Sequence, residues 1–398
     1  MAKNNVLTAA ERIAEKYGKN RVKTFKKREL LSVSTGSLQL NQALGIFKGY
    51  PEGAFIEAYG WEGTGKTLML FLAIAEAQRK FPKKKCALID AENQFKYQSA
   101  WAESFGVDIE KLEVIPVATA EEGFDILEML LYGDVVIKEK IVEEAVKTAE
   151  ENTYSIIGID SISMLVPLED VHKNMEETTR SASQAAIIGK GLKKMVSAMI
   201  TSKSQTIMFC INQLRKNPRA KKFENPDYRP GGSQLKFVDT IAFEVKKIAG
   251  SEVIGADGKV KSHRAKIKIT KSKVASKPKG WIEFTLNYDG TGIDNDVELF
   301  DVGTMNGLIF SPKMAHYAIA KNPEAPEKDK EVDEEYGMFK SSKDDVRVKF
   351  KDYLAKNPKL KDKLYQYIQE GKFYVKSDEK AVDEDAFEEI EKDAFEEE

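Results

Sequence analysis

Residues 60–67 read Gly60, Trp61, Glu62, Gly63, Thr64, Gly65, Lys66, Thr67, and this octet matches G-x-x-x-x-G-K-[ST] at every fixed position. A β-rich run from Ala54 to Tyr59 leads into it, and an apolar helical run from Leu68 to Gln78 leads out. Strand, glycine loop and helix in that order define a phosphate cradle. Glycines let backbone N–H groups turn toward phosphate oxygens, and the helix N-terminus adds the positive end of its dipole. Lys66 is expected on the β- and γ-phosphates and the Thr67 hydroxyl on Mg²⁺. The octet as a whole implies a bound nucleoside triphosphate.

The fold that carries such a loop is an α/β sheet, and the rest of the chain follows suit. Apolar β-rich runs at 54–59, 85–89, 112–116, 155–159, 206–211 and 240–248 alternate with helical patterns, which predicts a mostly parallel sheet covered on both faces. Residues 252–289 break the alternation. They read as antiparallel strands at 264–270 and 280–287, with turn chemistry at Ala256, Asp257 and Gly258. Helical spacing also marks residues 3–18, closed by Gly18, and a short strand-like link follows at 27–33. A compact region with its own helix opens at Ser34. After Asp294 the elements shorten, with a charged loop at 322–335 and two basic helices at 345–356 and 358–370. The expected organisation is an arm over 1–33, a core over 34–293, a small α/β domain over 294–376 and a disordered acidic tail over 377–398.

With 398 residues, 42% of them hydrophobic and 32% charged, the chain can bury a large core. No run of 18 apolar residues and no signal-peptide layout is present, so a cytoplasmic protein with no membrane partner is expected. Cys86 and Cys210 both lie in strand-like runs and read as core thiols, and three scattered histidines supply neither a zinc site nor a triad. Charge is uneven. The tail holds twelve Asp/Glu against two Lys, a net of −10, so an overall −2 leaves +8 on residues 1–376. A basic body with an acidic arm suits a protein that binds polyanions.

Ligands of open parallel sheets sit at the carboxyl ends of strands, and here those ends carry polar residues. The run 85–90 ends in Asp90 and is followed by Glu92; the run 155–160 ends in Asp160, a Walker B pattern expected to hold Mg²⁺ opposite Thr67. Glu92 is the candidate to polarise the attacking water, with Asp90 close by. The run 206–213 ends in Asn212 and Gln213, and an amide there can sense a γ-phosphate without acting as a base. Directly behind it, residues 214–233 hold six basic residues, among them Arg215, Lys216, Arg219 and Arg229, and two aromatics, Phe223 and Tyr228. Cations interleaved with aromatics track a phosphate backbone and stack bases. A sensor leading into such a loop is a switch.

Ser34 to Leu38, Gly60 to Thr67, Ile89 to Glu92, Ile159 to Ser161, Ile211 to Gln213 and the Asn225, Gly231, Gly232, Leu235, Lys236, Phe237 series stand in one order, and together they resemble the bacterial and phage RecA strand-exchange recombinases. The resemblance runs to about residue 294. It implies a RecA-type ATPase core, an N-terminal oligomerisation arm, ATP and Mg²⁺ as cofactors, and helical filaments on single-stranded DNA that pair with homologous duplex. It implies Glu92 as catalytic glutamate, Gln213 as γ-phosphate sensor and Trp101 as the aromatic on adenine. Lys271 and Lys273 match a pair that reaches a neighbouring subunit's phosphates. Lys193, Arg215, Phe223, Gly231, Gly232 and Ser233 fall at DNA-contacting positions. Single-strand-binding and mediator proteins are further partners it suggests.

Three departures point to a divergent, phage-encoded member in an infected bacterial cytoplasm. Residues 169–183 lack the usual glycines, leaving Lys173 and Arg180 as candidate contacts of a first DNA loop. Ala186 and Gly189 replace polar or basic residues, and Ala242 stands where an arginine is common. Two rivals share the phosphate loop: a hexameric helicase, and a regulatory DNA-binding ATPase that exchanges no strands.

Overall fold

A computed structural model describes residues 8–17, 31–45, 48–132, 154–171, 181–202, 204–217, 223, 226–274, 280–342 and 345–371. Lys173, Arg180, Arg219 and the acidic tail at 377–398 lie outside the described residues, as do residues 27–30 of the link expected over 27–33.

Residues 1–31 form one unit, in which α1 (Ala9–Tyr17) is the described element. Its start is a capping box: the Glu11 carboxylate accepts from the Thr8 N–H at 2.7 Å, and the Thr8 hydroxyl accepts from the Glu11 N–H at 3.2 Å. The helix expected over 3–18 is thus described from residue 9.

Residues 32–398 form the second unit. Its centre is a ten-stranded sheet. Six strands are parallel: β1 (Phe55–Gly60), β2 (Lys85–Asp90), β3 (Leu112–Pro116), β4 (Tyr154–Asp160), β5 (Ile207–Gln213) and β6 (Ile241–Lys247). They run β6-β1-β5-β4-β2-β3 across the sheet. β1 and β4 are buried along their whole length, which is why they read as unbroken apolar runs rather than alternating ones. Three antiparallel strands extend the β6 side: β7 (Val260–Ser272), β8 (Ile282–Asn287) and β9 (Gly292–Ile293). β7 outruns its expected span of 264–270 because Val253–Ile254 pairs with its first residues. The Ala256–Gly258 turn joins that short strand to β7.

Helices cover both faces. α3 (Lys66–Lys80) buries Leu68, Met69, Leu70, Phe71 and Ile74 in the larger core, beside α4 (Phe95–Ser104). On the other face, α5 (Ala120–Tyr132) and α6 (Ser181–Ser202) pack around Phe124, Leu127, Ile188 and Leu192, and α7 (Gly232–Val238) follows the basic loop.

α2 (Leu38–Ala43) is pinned to α8 (Asn295–Met305) by Glu298, which accepts from the Ser37 hydroxyl at 2.7 Å and from the Leu38 N–H. Burial raises the Glu298 carboxyl to about 7. Beyond α8, a three-stranded antiparallel sheet and the helices α9 (Val346–Lys356) and α10 (Pro358–Glu370) enclose a separate core around Phe300, Phe350, Leu354 and Leu360. The charged stretch at 322–335 is anchored there by an Ala320–Val332 bridge and a 2.6 Å Lys363–Asp333 ion pair.

Candidate active site

Strands β1, β5, β4 and β2 are consecutive in the sheet, and their carboxyl ends line up in register. Gly60 pairs with Gln213, and Asp90 with Asp160. The phosphate loop, the sensor amide, the Walker B carboxylate and Glu92 therefore share one edge.

Gly60 leaves β1 so close to β6 that a Cβ would lie 2.2 Å from the Val245 carbonyl oxygen, and at Gly65, with φ of +98°, a Cβ would lie 2.2 Å from Leu286. Only glycine fits either position. Gly65 is also the N-cap of α3 and offers no side-chain cap bond, so the first N–H groups of that helix are left for an anion. Lys66 is buried, with its ammonium donating to the Trp61 carbonyl at 2.7 Å. Burial lowers it to about 8, against the opposing pull of Asp160, Glu92 and Glu62.

Thr67 donates its hydroxyl proton to Asp160 at 3.0 Å. Burial, and then the Glu92 charge, raise Asp160 to about 7. This donor set fits a magnesium triphosphate. A buried lysine donates only to a neutral carbonyl, a buried carboxylate is bonded only by a neutral hydroxyl, and one hydroxyl–carboxylate pair is the small number of protein ligands Mg²⁺ takes beside phosphate oxygens. Among the described residues no cluster of three His, Cys, Asp or Glu offers a metal cage of its own.

Asp90 and Glu92 separate cleanly. Both Asp90 oxygens accept from the start of α4, from the Gln94 N–H at 3.1 Å and the Phe95 N–H at 3.0 Å. Asp90 is a structural cap. Glu92 instead has one oxygen, Oε1, that accepts from Gln213 Nε2 at 2.7 Å and from the Ser161 hydroxyl at 2.7 Å.

Trp101 is half-buried, edge-on to Phe71 and Phe105 with ring centroids 5.6 and 5.1 Å away, and 6.2 Å from the Tyr288 ring at 36°. Tyr288 escaped the sequence reading. It lies 187 residues further on, just past β8, and only the sheet topology brings it to α4. Its hydroxyl bonds His263 Nδ1 at 2.8 Å.

The basic loop springs from the same edge. Arg215–Lys216 and Asp227–Tyr228 pair as a two-stranded stem, with Arg215 and Lys216 exposed and Phe223 96% exposed. The Trp61 indole N–H reaches Asp227 at 3.4 Å, so the phosphate loop touches this stem. Arg229, grouped with the loop's outward cations in the sequence, turns inward instead. It pairs with the fully buried Glu57, and its guanidinium lies 4.3 Å from the Tyr59 ring centroid. Glu57 also accepts from Asn212 at 2.8 Å, and Asn212 in turn donates to the Pro230 carbonyl at 3.0 Å. Arg229 is a bolt for the loop's base. Gly231 (φ +95°) and Gly232 (φ +73°) turn the chain into α7, and Ser233 is exposed at its start.

Asp239, at the end of α7, is fully buried, and neither of its oxygens has a donor. Burial, then the neighbouring Glu57 charge, push its carboxyl up to about 9. Lys193 is exposed on α6, while its neighbour Lys194 is tied to Asp125 at 2.8 Å and Glu128 at 2.6 Å. Lys271 and Lys273 do not bond the cradle of their own chain. Lys271 donates to the Lys236 carbonyl and Lys273 to the Phe237 carbonyl at 3.0 Å, capping the last turn of α7.

Residues 4–294 match the family model described as the RecA N-terminal domain. The chain belongs to the RecA family. Among curated relatives, Protein RecA of Lactobacillus acidophilus is 30% identical over 370 residues, covering 91% of this chain and 86% of that protein. Protein RecA of Mesoplasma florum is 33% identical over 311 residues, covering 77% and 84%. Protein RecA of Bacillus anthracis is 33% identical over 303 residues, covering 74% and 78%. The expected fold class stands: an α/β RecA-family core around a mostly parallel sheet, with a small sheet-and-helix region after it. Membership makes the chain a homologue of the recombinases of DNA recombination and repair. Among the described residues no helix is long and apolar enough to cross a membrane.

Proposed function

We propose that this chain is a DNA-dependent ATPase that assembles as a helical filament on single-stranded DNA, pairs it with homologous duplex and exchanges strands. One observation carries the reading: Gln213, the last residue of β5 and two residues ahead of the basic loop's stem, donates at 2.7 Å to Glu92. A change at the γ-phosphate cannot move one without the other.

ATP would lie against Gly60–Gly65 with its phosphates on the first N–H groups of α3. Lys66 would exchange the Trp61 carbonyl for phosphate oxygens, regaining a counter-charge. Mg²⁺, when bound by Thr67, Asp160 and phosphate oxygens, would neutralise charge developing on the transferred phosphoryl group. Glu92 would accept the proton of the attacking water, and Gln213, drawn toward the γ-phosphate, would pull on the loop stem. Trp101 and Tyr288 form the aromatic pair for the adenine. Lys271 and Lys273, solvent-accessible at the α7 end, are the cations for a neighbour's phosphates. Arg215, Lys216, Lys193, Ser233 and the exposed Phe223 supply backbone and stacking contacts to DNA, so sequence preference is weak. The arm over 1–33 is assigned to subunit assembly and residues 294–376 to a separate small domain. The location assigned is the bacterial cytoplasm.

Strand exchange between a single strand and a homologous duplex tests this, with Lys66→Ala as control. ATP-dependent product from the wild type is expected. For Lys66→Ala, charge-assisted bonds to phosphate are lost, and ATP affinity falls by about 10- to 100-fold. DNA binding and ATP hydrolysis with no exchanged product would overturn the assignment in favour of a regulatory ATPase.

A further inference from the structure

Gln213 joins Glu92 to the front of the basic loop. A second hydrogen-bond line leaves the same carboxylate in another direction and runs to Gln184, beside the residue that packs against the loop's back. Ser161 has one hydroxyl proton, and it is donated to Glu92 Oε1 at 2.7 Å. The 2.9 Å contact between the Ser161 and Ser163 hydroxyls must therefore be donated by Ser163. Both serines are buried, so water does not compete for these bonds. The backbone around Ser163 is held from the far side by Gln184, whose Nε2 donates to the Ser163 carbonyl at 3.1 Å and to the Leu165 carbonyl at 2.8 Å.

Gln184 stands in the first turn of α6. Its neighbour Ala185 abuts the end of the basic loop, since a Cβ on Gly232 would lie 3.3 Å from the Ala185 Cβ. Gly232 opens α7, and Gly231 before it closes the loop. The two ends of the loop thus meet one carboxylate oxygen by separate routes. The front route is a single bond from Gln213. The back route runs Glu92, Ser161, Ser163, Gln184, α6, Gly232.

We propose that Ser163 and Gln184 are positioning residues that set the orientation of Glu92 according to the state of the loop's back end. DNA seated on the loop would then align the carboxylate from both sides. The inference rests on Glu92 as the group that activates water. It predicts a division of labour: nucleotide binding belongs to the cradle and is indifferent to this line, while the DNA stimulation of turnover depends on it.

The test is steady-state ATP hydrolysis, with and without single-stranded DNA, for the wild type, Ser163→Ala, Ser163→Thr and Gln184→Leu, alongside ATP affinity and thermal unfolding. Each line variant lacks one link of modest strength. Ser163→Ala and Gln184→Leu should keep wild-type KM for ATP and lose about two- to tenfold of the DNA stimulation of kcat. Ser163→Thr, which keeps the hydroxyl, should restore it. A merely structural role would lower the unfolding temperature and leave the stimulation ratio intact, and that result overturns the proposal. So does an equal loss in Ser163→Thr and Ser163→Ala. If wild-type hydrolysis is not stimulated by DNA at all, the functional reading fails with it, whereas a stimulated wild type with unaffected line variants removes the line alone.

Discussion

At the nucleotide edge of the sheet, Lys66 and Asp160 are buried with their ionisation displaced toward neutrality, to about 8 and 7, and Asp239, ahead of β6, is displaced in the same way, to about 9. In residues 294–371, the buried Glu298 against α2 apart, the charged groups instead lie near the surface in matched pairs. Arg347 meets Asp301 at 2.8 Å, and Lys351 and Lys361 meet Asp294 and Asp296 at 2.6 Å. Beneath them sits an aromatic core with Phe350 at its centre, its ring centroid 5.3 Å from Phe300 and 5.9 Å from Phe339. One region holds polar groups in a geometry that a folded chain by itself does not favour, and the other satisfies its charges locally. That contrast separates residues kept for chemistry from residues kept for stability.

Glu92→Gln strikes the first region hardest. The amide cannot take the proton of water, so DNA-stimulated kcat should fall by about 10²–10⁴-fold. Nucleotide binding and filament assembly should survive. A rate within twofold of wild type, measured by phosphate release, would remove Glu92 as the base, and the engaged oxygens of Asp90 make it no substitute.

Phe350→Ala probes the second region. The ring is fully buried, and its loss should cost about 3–5 kcal/mol in denaturant unfolding of that region. ATP affinity should be untouched, because among the described residues no member of the cradle belongs to this core. A loss of ATP binding with unchanged stability would mean that the contrast is drawn wrongly.

Asp239→Asn sharpens it further. The folded-state carboxyl is raised to about 9, far above its ordinary value near 3.8, so the folded protein holds a proton that the unfolded chain releases. Its contribution to stability is full below about pH 4 and declines as pH rises toward 9, with a slope of at most about 1.4 kcal/mol per pH unit. In Asp239→Asn that slope should vanish, since an uncharged amide of similar shape titrates nowhere in the range. Urea unfolding of both proteins between pH 5 and 9 reads the difference. Parallel curves would show that Asp239 is ionised in the fold.

The strand ends were legible in the sequence because each is a local pattern, an apolar run closed by a polar residue, and sheet topology gathers such ends at one edge. Glu92, Asp160 and Gln213 could be nominated for that reason. What stayed hidden depends on partners far apart in the chain. Nothing near Asp90 announces that it caps α4 with both oxygens. Nothing around Arg229 distinguishes it from Arg215 and Lys216, because its inward turn is decided by Glu57, 172 residues away. Tyr288 and Gln184 are similar cases, an aromatic beyond an antiparallel strand and an amide in a helix. Each gains its role only when the sheet closes. β7 starts ahead of its expected residue 264 for a plainer reason: its first residues are exposed, and pairing with Val253–Ile254 rather than burial selects the strand there.

The link between the nucleotide edge and the basic loop is the claim on which the rest depends, and Gln213→Ala isolates it. Affinity for a single-stranded oligonucleotide should be measured by fluorescence anisotropy with and without a slowly hydrolysed ATP analogue, at fixed salt. In the wild type the analogue should raise affinity, while in Gln213→Ala the analogue should still bind and DNA affinity should stay where it was. Equal enhancement in both proteins would contradict the coupling of Glu92 to the loop through Gln213.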